Sequence, residues 1–216
     1  MSANNPSLTS SSTTSLETNI ETHNRATRLL HAILAISIVT QLGSSLLMVA
    51  PLRNHTPDLF FEIHEYSGLA ALALSIAFWI TILIRRSGTP VAKILPWFSP
   101  LTRQLLWQDA RQHFQTLRGK RLPSYQSDAP LACAIHGLGL LLILAMAITG
   151  GLFYLALLLG TPDAAWAGLD LDMHKLLASM AWTYLIAHAG VAVLYRYVGQ
   201  LDLGCMWSFK GDTDSK

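Results

Sequence analysis

Four histidines stand inside or at the edge of long apolar runs, at His31, His64, His174 and His188. An imidazole in a water-poor setting serves as a metal ligand, a proton relay or a hydrogen-bonded packing group. His174 and His188 are separated by fourteen residues. At ~100° per residue that spacing is nearly four full helical turns, so both rings leave one helix face, roughly 21 Å apart along its axis. What two such imidazoles do depends on which others reach the same two levels.

The elements that set those levels are read from composition. The 216 residues are 51% hydrophobic and only 13% charged, against roughly 25% charged in soluble domains. The uncharged runs Leu29 to Leu52, Tyr66 to Ile84, Ala129 to Pro162 and Leu176 to Tyr195 each approach or exceed the ~20 residues that cross a bilayer as helix. The expected fold is an all-α membrane protein, a four-helix transmembrane bundle over residues 23–209, with residues 1–22 as a disordered tail and 210–216 as a short carboxy-terminal tail. Met1 to Ser15 is rich in Ser, Thr and Asn without an apolar core, so it does not read as a cleaved signal peptide.

Charge sets the orientation. Between the second and third spans lie Arg85, Arg86, Lys93, Arg103, Arg111, Arg118, Lys120 and Arg121, against Asp109 and Asp128. By the positive-inside rule this segment is cytoplasmic, which leaves the N and C termini cytoplasmic too, in a bacterial inner membrane. The opposite loops carry Arg53 with Asp58 and Glu62, then Asp163, Asp170 and Asp172. Within the basic segment, Trp97, Phe98, Leu101, Leu105, Leu106 and Trp107 would anchor residues 91–125 at the membrane surface, where the basic side chains meet anionic lipid. A solvated linker is the alternative.

With that topology the histidines pair by depth. His31 starts a span on the cytoplasmic side and matches His188; His64 starts a span on the outer side and matches His174. Two imidazoles at each of two levels suit two iron porphyrins, each held on both axial sides and left with no open coordination position, a site for moving electrons. Zinc would gather three or four ligands at one level. Packing or proton-relay roles remain open for each histidine taken singly.

The other histidines and the glycines carry weaker signals. His136 begins the third span at the inner level and is read as a contact to a haem propionate or quinone carbonyl, or as a satisfied interfacial histidine. His23, His55 and His113 fall in tails or loops, where solvated or locally bonded roles are expected. Gly43, Gly68, Gly137, Gly139, Gly150 and Gly151 would let a neighbouring helix or a flat ligand approach. Cys133 and Cys205 lie on the reducing side, so no disulfide is expected. Phosphate-binding loop, dinucleotide fingerprint, CxxC and CxxCH are absent, which removes support for nucleotide binding, zinc ribbons and covalent haem. The net charge of +2 gives no reason to expect nucleic acid.

Four stretches carry a resemblance: RLLHAILAISIVTQLGSSLLM, IHEYSGLAALALSIAFWITILIRR, IHGLGLLLILAMAITGGLFY and MHKLLASMAWTYLIAHAGVAVLYRY. Together they resemble the prokaryotic cytochrome b561 family, which includes the b-type cytochrome subunits of nickel-iron hydrogenases, formate dehydrogenases and thiosulfate reductases. The likeness runs from about Thr22 to Phe209. It implies two haem b groups, with His31 and His188 as axial ligands of the inner one and His64 and His174 of the outer. It also implies quinone near the inner haem, with His136 and Arg28 as candidate contacts. Ala32 stands where the family commonly has Trp.

The leading functional expectation is an electron-transfer subunit working between quinone and a periplasmic cytochrome or redox-enzyme subunit. A self-contained superoxide:quinone oxidoreductase competes with it, but the acidic outer face suits a cationic protein better than a small anion. A haem-free carrier using the histidines as relays is the third reading, and neither an internal repeat nor broken helices support it.

Overall fold

The computed structural model describes residues 25–51, 55–84, 89–126 and 128–201. Residues 1–22, His23, Arg53, Arg85, Arg86, Cys205 and 210–216 lie outside the described residues. Among the described residues six α-helices follow in order: α1 (Arg25–Ser45), α2 (Leu59–Ile84), α3 (Val91–Ile94), α4 (Pro100–Arg118), α5 (Pro130–Leu158) and α6 (Ala165–Tyr197), with a 3-10 turn at Pro96–Phe98. Among the described residues four helices, α1, α2, α5 and α6, are long and apolar enough to cross a membrane. The expected all-α four-helix membrane fold is therefore found.

Local chemistry moves the boundaries away from the uncharged runs. The first helix stops at Ser45, short of Leu52, because i to i+3 bonds from Leu46 N and Leu47 N tighten its last turn while the Ser44 and Ser45 hydroxyls bond the carbonyls of Gln41 and Leu42. The second starts at Leu59, ahead of Tyr66, since Asp58 caps it. One carboxylate oxygen of Asp58 accepts the Val49 amide at 3.0 Å and the Phe61 amide at 2.9 Å, closing the preceding loop onto the helix start. Donation from Val49 and Phe61 holds the Asp58 carboxyl below its ordinary range.

α5 ends where Gly160 takes φ +66° and Thr161 N bonds Ala156 O at 2.9 Å; Gly199 ends α6 in the same way, with φ +73°. α6 has 33 residues, about 50 Å of helix against a hydrocarbon core of about 30 Å. The excess length falls to its first turns, where Asp170, Asp172 and Lys175 are too costly to hold in hydrocarbon. This corrects the loop assignment: Asp170 and Asp172 lie within α6 and Glu62 within α2, while Asp163 stays in the connection. Charge interrupts an apolar run without interrupting a helix that extends into water.

α1 packs on α2, α2 on α5 and α5 on α6, while α3 and α4 lie against α5. The core joins Leu34, Phe78, Ile82, Ile94 and Ile143, so α1, α2, α3 and α5 meet at the end of the bundle where α1 begins, the basic end. At Gly137 an added Cβ would stand 2.0 Å from the Ile94 carbonyl oxygen, which is how α3 comes to rest directly on the α5 backbone. Elsewhere large apolar side chains such as Ile36, Ile80, Leu138 and Ile186 face outward, as a lipid solvent requires.

α4 is pinned rather than loose. The two oxygens of Asp109 accept the Leu131 amide at the start of α5, at 2.8 Å, and His113 Nδ1, at 3.0 Å. His113 is thus locally bonded, one of the two roles the sequence allows it.

Candidate functional site

His64 and His174 project from α2 and α6 into one cavity near the acidic end of the bundle, with ring centres 6.3 Å apart and planes at 87°. An imidazole nitrogen binds a transition metal at about 2 Å, so two rings on opposite sides of one metal stand about 6 Å apart, centre to centre. The observed separation meets that requirement.

Hydrogen bonds settle which nitrogen of each ring is available. His64 Nδ1 lies 3.1 Å from the Gln41 carbonyl, which can only accept, so Nδ1 carries the proton and Nε2 keeps its lone pair. The Ser44 hydroxyl is also 3.1 Å from Nδ1. His174 Nδ1 lies 2.9 Å from Thr149 Oγ1. The single Thr149 proton is directed at its own helix, to the carbonyls of Ala145 and Met146 at 3.1 and 3.0 Å, so the oxygen accepts from His174 and again frees Nε2. Both rings are therefore set in the tautomer that a metal takes, by the kind of outer partner that orients metal-bound histidines.

The walls fit a flat apolar group. The cavity measures about 950 Å³, counted to its open mouth, and its lining includes Gln41, Gly68, Gly150 and Gly151. A Cβ at Gly150 would stand 3.2 Å from His174 Cε1, and one at Gly68 would stand 3.3 Å from the Gln41 side chain. Gln41 Nε2 donates to the His64 carbonyl and to Ser67 Oγ, tying α1 to the turn that carries His64. These residues fit a haem between α2 and α6.

The basic end holds a second group of rings. His188 stacks on Tyr184 with centres 5.4 Å apart and planes at 12°, and meets His136 edge-on at 5.3 Å and 79°. The His136 separation falls short of the roughly 6 Å at which two rings stand on opposite sides of one metal, which makes His136 a neighbour of His188 rather than its axial opposite. Tyr184 reaches this position because α5 has no side chain at Gly139, where a Cβ would stand 2.2 Å from the phenol. His31 and Arg28 are half-buried one turn apart on α1, beside the buried Ala32. Depth alone relates His31 to His188.

An orphaned donor marks the same level. Trp79 Nε1 is buried without a hydrogen-bond acceptor among the described residues, close to the end of α2. A buried N–H inside an apolar bundle calls for an acceptor, and a group bearing carboxylate or carbonyl oxygens supplies one. His55 is exposed in the connection before α2.

Sequence reasoning passed over Gln41, Ser44, Trp79, Thr149 and Tyr184. Two of them had a readable signal: Thr149 precedes the Gly150–Gly151 pair, and Tyr184 lies one turn before His188 on the same face. Among the described residues no three or more His, Cys, Asp or Glu side chains gather as a metal cluster. No curated protein and no solved structure was found to match the chain. Residues 22–208 match prokaryotic cytochrome b561. With four spanning helices and facing imidazoles as its frame, the chain belongs to the prokaryotic cytochrome b561 family, membrane-embedded b-type cytochromes that carry electrons.

Proposed function

We propose that the protein is a di-haem cytochrome of the bacterial inner membrane that passes electrons between a quinone at its basic, cytoplasmic end and a redox partner at its acidic, periplasmic end. The observation that carries this reading is the 6.3 Å, nearly perpendicular facing of His64 and His174. Haem iron held between two imidazoles exchanges single electrons and offers no position to a substrate. His64 and His174 are assigned to the outer haem, with Gln41 and Thr149 holding their tautomers. His31 and His188 are assigned to the inner haem by depth, with Tyr184 stacked on His188. Arg28, His136 and Trp79 then bind propionate or quinone oxygens. Both termini are cytoplasmic in this reading, because the basic segment 89–126 and the start of α1 share one end of the bundle.

The test is optical. Protein purified from membranes and treated with a quinol should develop the absorption bands of reduced haem b. A preparation with full-length, folded protein and no haem absorption would reject electron transfer and favour a haem-free carrier.

A periplasmic cytochrome or enzyme subunit is favoured over superoxide as the outer partner by the acidic residues Asp163 and Asp172, both exposed at the His174 end of α6. Neutralising the pair to Asn is expected to slow haem reaction with a basic cytochrome several-fold at low salt, with the difference vanishing at high salt. Haem content should not change. Equal rates at every ionic strength would remove the docking role, and a faster reaction of the variant with superoxide would move the assignment to superoxide:quinone oxidoreductase.

A further inference from the structure

α4 presents three distinct faces. Thr102, Leu106, Asp109 and His113 form the first; the Asp109 bond to Leu131 N turns it toward α5. Gln104, Gln108, Gln112 and Gln115 form the second, which is exposed and polar past the first turn, where Leu101 shares it. The third runs Arg103, Trp107, Arg111, Phe114, Arg118 at steps of four, four, three and four, one continuous stripe of a helix. Trp107 is 67% and Phe114 66% exposed, and the three arginines have no ion-pair partner among the described residues.

A helix lying beside a membrane bundle has three kinds of neighbour: the bundle, the lipid and the water. The seam is assigned by contact, and the glutamine face suits water. Alternating arginine and aromatic side chains match the lipid interface, where rings sit at headgroup level and guanidinium groups reach phosphate. The depth agrees. α3 rests at Gly137, seven residues into α5, about 10 Å along its axis. Asp109 of α4 accepts the Leu131 amide at the start of α5, so α4 lies at the level where the apolar helix begins. Phe98, at the junction, is 85% exposed.

We propose that the Arg103, Trp107, Arg111, Phe114 and Arg118 face of α4 binds the headgroups of anionic phospholipid. The surface selects negative charge: three unpaired arginines on one stripe each favour an anionic over a neutral leaflet by about fivefold. It rests on the four spanning helices and not on the haem assignment.

The experiment places the full chain in nanodiscs of phosphatidylcholine containing phosphatidylglycerol with brominated acyl chains, or brominated phosphatidylcholine as the neutral control. The Trp107 signal is the fluorescence difference between the parent and Trp107→Phe. Half-maximal quenching is expected at a brominated phosphatidylglycerol fraction at least fivefold below that for the neutral lipid. The preference should disappear in the R103Q/R111Q/R118Q variant and at high salt, and persist in R103K/R111K/R118K. Equal quenching by the two lipids would overturn headgroup binding. Quenching by aqueous iodide with none by either lipid would place the stripe in water, and shielding from all three in a particle holding two copies would make it a dimer face.

Discussion

Replacing His64 or His174 with Ala is expected to lower haem content from two haem b per chain to one, with His188→Ala and His31→Ala each removing the other haem. The expectation follows from the proposed assignment, in which each pair has its own level and the two histidines on α6 are fourteen residues apart, roughly 21 Å along the axis. Removing one imidazole leaves the iron with one protein ligand and opens a cavity where the ring stood. Removing an outer partner should do less: Thr149→Val takes away the acceptor for His174 Nδ1 and should weaken outer haem retention about 10- to 100-fold. A pyridine haemochrome assay on each variant, with protein measured by amino-acid analysis, reads the ratio. One haem per chain in the parent would sink the two-site assignment. Parent content in the His136→Ala variant is expected too, since His136 stands nearer to His188 than two rings on opposite sides of one iron would.

The facing of His64 and His174 was legible because membrane spans restrict the alternatives. A polar ring is costly in hydrocarbon, helix periodicity sets its face, and span direction sets its depth. Helix ends were less legible. Asp58, Glu62, Asp170 and Asp172 lie outside the uncharged runs, yet the helices continue through them or are started by them, because a helix may project into water and a carboxylate is a good cap. The groups that orient the rings were invisible for another reason. Gln41, Ser44 and Thr149 act through a carbonyl and two hydroxyls, groups available on many residues, and their use depends on how α1 meets α2 and α5 meets α6. His113 and Asp109 look like ordinary surface charges in the sequence and become a pin between α4 and α5 only in three dimensions.

Gly139 is where helix packing and cofactor chemistry are expected to meet most sharply. Its backbone faces Tyr184 so closely that a single methyl would stand 2.2 Å from the ring carbon and the hydroxyl oxygen, and Tyr184 in turn stacks on His188. Gly139→Ala should therefore displace the ring and destabilise the protein by about 1–3 kcal/mol, the usual cost of overpacking. The inner haem should shift its midpoint potential or be lost, while the outer haem stays as it is. A general disruption of the bundle would instead affect both haems. Tyr184→Phe should leave the conflict in place, because the ring carbon that meets the methyl remains. Tyr184→Ala removes it, so G139A/Y184A should be more stable than the sum of the two single changes allows. Thermal unfolding and a potentiometric titration of all variants provide both readouts. Strict additivity in stability, or an unshifted inner haem in Gly139→Ala, would show that Tyr184 does not position His188.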